Sequence, residues 1–400
     1  MIRKGHLGKR HRRDRLFRAF GRLSAFLALG FLIVFIGGLV FWAYEGFSRY
    51  EVQVNLSLSS KTRQGSSAPE DLMDSVLKYY GLSKKDLPQI FAPSWHKRFY
   101  HYAISKENSE GSRVSSQHVK IWLPLNDSFD KCLKKKQCLS SSQKLFLDKV
   151  KKEGHLRKKF RFDFFTSSDS RDPQTAGIFA GIISTTFLFF ITLLLSFPVA
   201  VLSALYLEEL AKPSRLTRLI EVNITNLASI PSVVFGILGL AIFINFFGLP
   251  RSSSLVGGMT LSLMTLPTII VASRSAIKAV PKSIRQAARG IGASEMQIII
   301  HHVFPIAIPG IITGTLIALA RALGETAPLL MVGMMAFIVD APKSILDPAA
   351  PLPVQIFSWV RNPETGFLAN ASAAILFLML FLGALNTLAI YLRGKYEHKW

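Results

Sequence analysis

The amino-acid sequence predicts an all-α polytopic membrane protein with six transmembrane helices and an α/β or mixed domain inserted after the first helix. The 400 residues are 50% hydrophobic and only 18% charged, whereas soluble chains average about one quarter charged. Six stretches lack Asp, Glu, Lys and Arg, and each reaches the ~20 residues that cross a bilayer as a helix. The formal net charge of +23 therefore indicates basic cytoplasmic loops rather than a surface for nucleic acid.

The first two predicted segments are a basic N-terminus, residues 1–22, and transmembrane helix 1, residues 23–45. The N-terminal segment carries nine Lys or Arg residues, which places it in the cytoplasm by the positive-inside rule. The uncharged run that follows is longer than the ~7–15 apolar residues of a signal peptide. We therefore interpret helix 1 as a retained anchor.

Residues 46–176 form the one stretch between spans that is long enough for a folded domain, and alternation places this stretch outside the cytoplasm. Its sequence predicts an amphipathic helix at Asp71–Gly81 that ends at a glycine and a short strand at Val119–Leu125. The two cysteines, Cys132 and Cys138, also lie here. An oxidising compartment permits a disulfide between them, but the sequence leaves their bonding state open.

Residues 177–392 carry the remaining spans, and residues 393–400 form a short basic tail. Alternation puts both chain termini and the loop 274–302 in the cytoplasm, and the distribution of Lys and Arg agrees with this orientation. The predicted helices lie at residues 177–207, 222–247, 253–273, 303–338 and 369–392.

Motifs for chemistry on this chain are absent from the sequence. It contains no P-loop, no His-Glu-x-x-His, no Gly-x-Ser-x-Gly and no Cys-x-x-Cys. Neighbouring helical residues point in different directions, so the pair His301-His302 does not present both rings to one metal. We expect a non-enzymatic subunit that binds no cofactor, with any energy supplied by an ion gradient or a partner ATPase.

A pattern typical of a docking element begins in the loop 274–302 and continues just past it: Gln286-Ala287-Ala288, then Gly292, then Pro305. Small side chains permit close backbone approach, and a glycine permits a sharp turn between two short helices. The spacing resembles the coupling loop of bacterial ABC importer permeases, although Gln286, His302 and Phe304 depart from that family's usual residues. The resemblance implies that Gln286, Ala287, Ala288 and Gly292 contact an ATPase subunit.

Two opposite charges, Arg321 and Glu325, interrupt the fifth apolar run. They are four residues apart, so on one helix they share a face and can pair. Charged residues inside membrane spans usually line a substrate path, and a guanidinium suits an oxyanion because it donates two parallel hydrogen bonds. The alternative is a structural salt bridge between packed helices. We expect Glu325 to orient Arg321 and to weaken its hold on the anion.

The string from Arg321 to Leu330, which includes Glu325 and Thr326, resembles phosphate permeases of the PstA type within the ABC importer family. The segments Ile230–Gly236 and Leu266–Pro281 resemble them as well. The resemblance implies the MetI-like fold of an ABC importer permease, a substrate path formed by Arg321, Glu325 and Thr326, and a multi-pass location in the bacterial inner membrane.

The same resemblance implies a set of partners. These are a second permease of the PstC type, a dimer of PstB-type ATPase subunits that binds ATP and Mg, an extracytoplasmic phosphate-binding protein, and membrane lipid, with no nucleic acid. The expected function is therefore half of the translocation path of an ATP-driven phosphate importer. The alternatives are an ABC permease for sulfate or molybdate, and a secondary transporter or channel with a sensory outer domain.

Overall fold

The computed structural model describes residues 4–57, 90–91, 118–126, 129–130, 133, 141–335 and 337–396. The predicted helix at Asp71–Gly81 and both cysteines, Cys132 and Cys138, lie outside the described residues. In chain order, the elements used below are α1 (Lys4–Gly46), β1 (Ser48–Ser57), β2 (His118–Pro124), α2 (Ser141–Lys152), β3 (Leu156–Phe160), α3 (Asp163–Thr166), α4 (Phe179–Leu205), α5 (Arg215–Ala228), α6 (Ser232–Gly239), α7 (Ser254–Lys278), α8 (Lys282–Gly290), α9 (Glu295–Gln297), α10 (Phe304–Gly324), α11 (Ala327–Met331), α12 (Leu352–Val360) and α13 (Thr365–Tyr396).

Membrane-spanning helices dominate the described part of the chain, which confirms the predicted fold class. Five stretches are long and apolar enough to cross a membrane: Arg13–Gly46, Phe179–Leu210, Ser254–Lys278, Glu295–Gly324 and Thr365–Lys395. A sixth span is formed if the bent pair Arg215–Ala228 and Ser232–Phe246 is counted as one. Wider π-helical turns extend α4 through Leu210 and α6 through Phe246, and another leads from α9 into α10.

The span predicted as one helix at 222–247 is two helices in the structure. Helix α5 begins after Ser214, whose side chain accepts a hydrogen bond from the backbone N–H of Thr217, and it ends at Ala228. Helix α6 starts at Ser232, and the two axes differ by 101°. Pro231 explains the break, because a proline lacks the N–H that a continuing helix requires and disfavours helical backbone in the residue before it.

The span predicted at 303–338 is also shorter than expected. Helix α10 ends at Gly324, because Glu325 has an extended backbone with a ψ of 122°. The short helix α11 follows, with Pro328 in its first turn. The apolar residues after Glu325 therefore belong to a separate short helix and a loop. An uncharged run alone does not reveal such a break.

Several helices extend past their predicted ends into charged sequence. Helix α1, predicted at 23–45, reaches back to Lys4, and α7, predicted at 253–273, continues to Lys278. Helix α13, predicted at 369–392, covers Thr365–Tyr396. The first charged residue marks where an apolar stretch stops, whereas Lys and Arg are good helix formers and let the helix continue.

A small antiparallel sheet with strand order β2-β1-β3 follows α1. Strand β2 confirms the strand predicted at Val119–Leu125. Glu51 of β1 lies opposite Arg157 of β3, and their side chains form an ion pair of 2.7 Å. Arg49 binds the other carboxylate oxygen of Glu51 at 2.8 Å and also contacts Asp163. Burial raises the pKa of Glu51, but the neighbouring arginines outweigh it and hold this pKa below its ordinary value.

The fully buried Arg161 joins the sheet to the helical part of the molecule. One guanidinium nitrogen, Nη1, donates to the carbonyl of Gly46 at 3.1 Å and to Oδ1 of Asn370 in α13 at 2.9 Å. The other, Nη2, donates to the carbonyls of Pro173 and Ala176. Burial lowers the pKa of Arg161 to about 10, so the group remains charged at neutral pH. A single side chain thus ties the end of α1 and the start of α13 to the sheet.

Candidate functional site

A cavity of about 430 Å³ lies beside Arg274, and a second of about 310 Å³ opens where α5 and α6 meet. The second cavity is lined by the turn Ser229–Ser232, by Thr265 and Thr268 of α7, and by Arg321 of α10. Helix breaks at membrane depth are tolerated where they line a cavity, because the freed backbone groups need polar partners. Broken helices of this kind form substrate sites in membrane transporters.

Arg321 lies in the last turn of α10, and its side chain is exposed. It lines the cavity together with Ala318 and Ala322 of the same helix. No hydrogen bond or ion pair to a described residue engages the Arg321 guanidinium. Its donors are therefore available to a ligand in the cavity.

The predicted pairing of Arg321 with Glu325 is not found in the structure. Glu325 is the first residue after α10 and has left the helical path, so the four-residue spacing no longer puts both side chains on one face. Its carboxylate instead accepts a hydrogen bond from Oγ of Ser232 at 3.1 Å. Glu325 lines the same cavity as Arg321, but across the break rather than on the same helix.

Ser232 is a site residue outside the predicted substrate path. It is the first residue of α6, directly after Pro231, and it holds the Glu325 carboxylate at the N-terminal end of that helix. Helix N-termini favour negative charge because their first N–H groups lack partners within the helix. The Ser-after-Pro pattern signals a helix start, but the contact with residue 325 depends on the tertiary fold.

Thr326, the third residue assigned to the substrate path, occupies a different place. It precedes α11 as its N-terminal cap residue, it is half-buried, and it lies outside the set of described residues that line this cavity. The geometry therefore brings together Arg321 and Glu325 from the predicted set and adds Ser232.

The predicted docking element is a helix–turn–helix at one end of the molecule. Helix α8 ends at Gly290, and Gly292 follows with a φ of +83°, a conformation that glycine adopts without steric cost. Ser294 then caps α9, and its backbone N–H donates the return hydrogen bond to Oε1 of Gln297. The turn predicted at Gly292 is thus present, with a short helix on each side.

The four residues assigned to ATPase contact differ in exposure. Gln286, Ala287 and Gly292 are exposed, whereas only 4% of the surface of Ala288 is exposed. Ala288 packs into a core cluster with Ile277, Ile298 and Val303. Ala288 therefore anchors α8 to the bundle and is not available to a partner in this conformation. Ile291, which is not among the predicted contact residues, is 82% exposed in the turn.

The protein is polytopic and helical, with a cavity at a broken helix, an arginine in that cavity and an exposed helical loop. These features are typical of membrane permeases. One family model, described as the binding-protein-dependent transport system inner membrane component, matches residues 196–396. The chain belongs to this family, whose members are multi-pass inner-membrane proteins. A second model, a domain of unknown function (DUF3333), matches residues 4–143.

Curated relatives and solved structures resemble the helical part of the chain. The probable ABC transporter permease protein YqgI of Bacillus subtilis is 30% identical over 238 residues, covering 55% of this chain and 80% of the relative. The phosphate transport system permease protein PstA of Haemophilus influenzae is 29% identical over 237 residues, covering 59% and 82%. The inward-facing MetNI methionine ABC transporter aligns at 17% identity with a TM-score of 0.44, covering 56% of this chain and 95% of that one.

Membership of this family also implies two kinds of partner protein. A binding-protein-dependent transporter combines its membrane component with a substrate-binding protein and an ATPase. Among the described residues, no group of three or more His, Cys, Asp or Glu side chains gathers to hold a metal ion.

Proposed function

We propose that this chain is a permease subunit of an ATP-driven inorganic phosphate importer and forms half of its translocation path. The carrying observation is the exposed Arg321 guanidinium, which faces the cavity at the α5–α6 break without a described ion-pair partner. A guanidinium recognises the oxygens of phosphate through parallel hydrogen bonds. The names of relatives such as the Haemophilus influenzae PstA support phosphate as the anion.

In this proposal Glu325 restrains the site from within the same cavity. Its carboxylate is bonded to Ser232 and leaves Arg321 free, so the empty site favours anion entry. A negative charge nearby also weakens the hold on phosphate, and a transport path must release what it accepts. Thr326 does not line the cavity, and it belongs to the proposed path only as the chain neighbour of Glu325.

The proposed orientation puts both termini and the α8–α9 turn in the cytoplasm and the domain at 46–176 outside it. The ends of α4, α7 and α8 come together through ion pairs of Glu208 and Glu209. The segment that follows the sheet bonds instead to the starts of α4 and α13, which supports an orientation with the sheet and the α8–α9 turn on opposite sides of the membrane. The partners in this proposal are a PstC-type permease, a PstB-type ATPase dimer that hydrolyses ATP, and a phosphate-binding protein outside. This chain itself has no catalytic role and binds no cofactor.

Uptake of radiolabelled phosphate by the reconstituted complex tests the function. We expect Arg321→Ala to lower uptake at least about tenfold, because hydrogen bonds to charged groups contribute ~1.5–3 kcal/mol each. Arg321→Lys keeps the positive charge but cannot make the bidentate hydrogen bonds of a guanidinium, so it should retain part of the uptake activity. Arg251→Ala, at an exposed position in the loop before α7, is the matched control with normal uptake expected.

Two measurements accompany uptake. Co-purification of the subunits separates a transport role from an assembly role, because loss of assembly in Arg321→Ala indicates a structural arginine instead. Competition by sulfate and molybdate identifies the anion, since inhibition stronger than that by unlabelled phosphate contradicts phosphate as the substrate. Normal uptake by Arg321→Ala contradicts the proposed site.

A further inference from the structure

Two consecutive glutamates, Glu208 and Glu209, occupy the π-helical turn that ends α4. Successive residues on a helix do not face the same neighbour, so the two carboxylates point to different partners. Each takes an arginine from a different element, Glu208 from α7 and Glu209 from α8. The end of α4 is therefore a junction between elements that the chain order separates.

Arg285 fastens the docking helix α8 to this junction. Its Nε lies 3.2 and 3.1 Å from the two carboxylate oxygens of Glu209, and its Nη2 lies 2.6 Å from Oε1. The remaining donors reach the carbonyl of Val280 at 2.7 Å and that of Ile277 at 3.0 Å. One guanidinium thus holds α8 against the ends of both α4 and α7.

Arg274 extends the junction to α5, the helix that borders the cavity. This arginine bonds Glu208 through Nε, and its Nη2 lies 2.7 Å from Oε1 of Glu221 in α5. Helix α5 has no fully buried residue and packs against the core cluster through the partly buried Ile224, so the ion pair of Glu221 is an added contact that holds it. Glu221 precedes Leu227, which lines the cavity with Arg321, by about 9 Å along the helix.

Burial separates these ion pairs from ordinary surface pairs. The side chains of Arg285 and Glu209 are 15% and 10% exposed, whereas those of Arg289 and Glu295 in the same loop are 54% and 58% exposed. Exposed pairs contribute little, but removal of one partner from a desolvated pair leaves the other charge unpaired and is costly. The ion pairs at Glu208 and Glu209 are therefore more costly to break than the exposed pair.

We propose that Glu208 and Glu209 are positioning residues for transport, which carry a displacement of α8 to α5 and so change the shape of the cavity around Arg321. This inference rests on the proposed function, because it takes α8 as the element that the ATPase moves. The ion pairs form a continuous set of contacts from Arg285 through Glu209, Glu208 and Arg274 to Glu221. A static clamp that only stabilises the loop is the alternative.

The test measures phosphate imported and ATP hydrolysed in proteoliposomes that hold the whole complex with phosphate-binding protein and ATP. We expect Glu209→Gln to assemble normally and to hydrolyse ATP, but to import about tenfold less phosphate per ATP, a typical size for coupling between sites. Glu209→Asp keeps a carboxylate and should recover most of that ratio. Glu364→Gln makes the same change at an exposed position before α13 and should match the unmodified complex.

The outcomes distinguish transmission of the α8 displacement from a static clamp that only stabilises the loop. An unchanged ratio of phosphate to ATP in Glu209→Gln overturns the proposal, and so does loss of assembly in both Glu209→Gln and Glu209→Asp. If the unmodified complex imports no phosphate, the proposed function fails. The inference is then decided by the ATPase rate of the assembled complex, measured relative to the rate of the ATPase subunits alone. A changed relative rate in Glu209→Gln but not in Glu364→Gln supports it, and an unchanged rate overturns it.

Discussion

Arg321, Glu325 and Ser232 define the site through a competition between hydrogen-bond partners. An arginine and a glutamate in one cavity attract each other, and pairing would occupy the donors that an anion needs. The contact from Ser232 at 3.1 Å holds the Glu325 carboxylate on α6 instead. The availability of the arginine therefore depends on a hydroxyl group that makes no contact with it.

Substitution Ser232→Ala tests this dependence. Without the hydroxyl donor, the Glu325 carboxylate is free to turn toward Arg321 and compete with phosphate. We expect the KM for phosphate uptake to rise about threefold to tenfold with little change in kcat, because one hydrogen bond contributes ~0.5–1.5 kcal/mol. The measurement is uptake against phosphate concentration in the reconstituted complex.

The control for this prediction is Ser203→Ala. Ser203 donates its hydroxyl to the carbonyl of Val199 one turn earlier in α4, so the change removes a hydroxyl without freeing a carboxylate. A KM that stays the same in Ser232→Ala shows that the serine does not hold Glu325 away from the arginine.

At the level of elements, apolar runs in the sequence located the spans, and local chemistry decided where the helices break. The runs that became α4, α7 and α13 were predictable because hydrocarbon thickness requires about 20 apolar residues. The break at Pro231 has a local signal, but a proline also occurs inside α4 at Pro198 and inside α7 at Pro267 without ending either helix. Proline alone therefore does not identify the helix that breaks.

The candidate site was predictable only in part for the same reason. A charge in an apolar run identified Arg321, because an uncompensated charge in a membrane is costly. The partner of Glu325 was not predictable, since Ser232 is 93 residues away in sequence and reaches it only through the packing of α6 against α11. The burial of Ala288 likewise follows from the core around it and not from the docking motif.

Gly236 allows α6 to approach α11, and its substitution tests the importance of that packing. A Cβ at this position would lie 2.7 Å from Cα of Pro328 and 2.8 Å from Cβ of Met331, closer than side chains tolerate. We expect Gly236→Ala to destabilise the protein by about 1–3 kcal/mol, as overpacking usually does. The measurement is the apparent Tm of the purified protein in detergent.

Gly383→Ala is the matched control for Gly236→Ala. Gly383 lies within α13, and a Cβ there would meet no atom within 4 Å, so alanine should be neutral or slightly stabilising because of its higher helix propensity. Equal Tm values for the two variants would contradict a close contact between α6 and α11.

At the scale of the whole molecule, polar contacts join the sheet and its adjoining loop to the spans. Arg161 bonds both α1 and α13, and Asp169, in the loop before α4, accepts a hydrogen bond from Nε1 of Trp359 in α12 at 3.0 Å. Burial raises the pKa of the Asp169 carboxyl from 3.8 to about 6, against the hydrogen bonds from Trp359 and from the backbone of Ser170, which lower it. The ionised carboxylate is thus disfavoured in the folded protein.

The sign of the resulting pH dependence follows from that raised pKa. Below about pH 4 the carboxyl is protonated in both the folded and the unfolded chain, so its stabilising contribution is fully present. As the pH rises toward 6, the unfolded chain ionises more readily than the folded one, and this contribution is lost. Above that range the folded protein is destabilised by up to about 3 kcal/mol, at ~1.4 kcal/mol per pKa unit.

Asp169→Asn should remove this penalty while its side-chain oxygen still accepts the hydrogen bond from Trp359. We expect the variant to have a higher apparent Tm than the unmodified protein at neutral pH, and the difference to shrink as the pH approaches about 4. Asp340→Asn, at an exposed loop position, removes the same charge and should give no pH-dependent difference. Thermal unfolding of the three proteins in detergent across this pH range is the measurement. A Tm difference for Asp169→Asn that stays constant with pH would mean that the carboxyl is not strained by burial, and that the contact between the loop and α12 is held by its hydrogen bond alone.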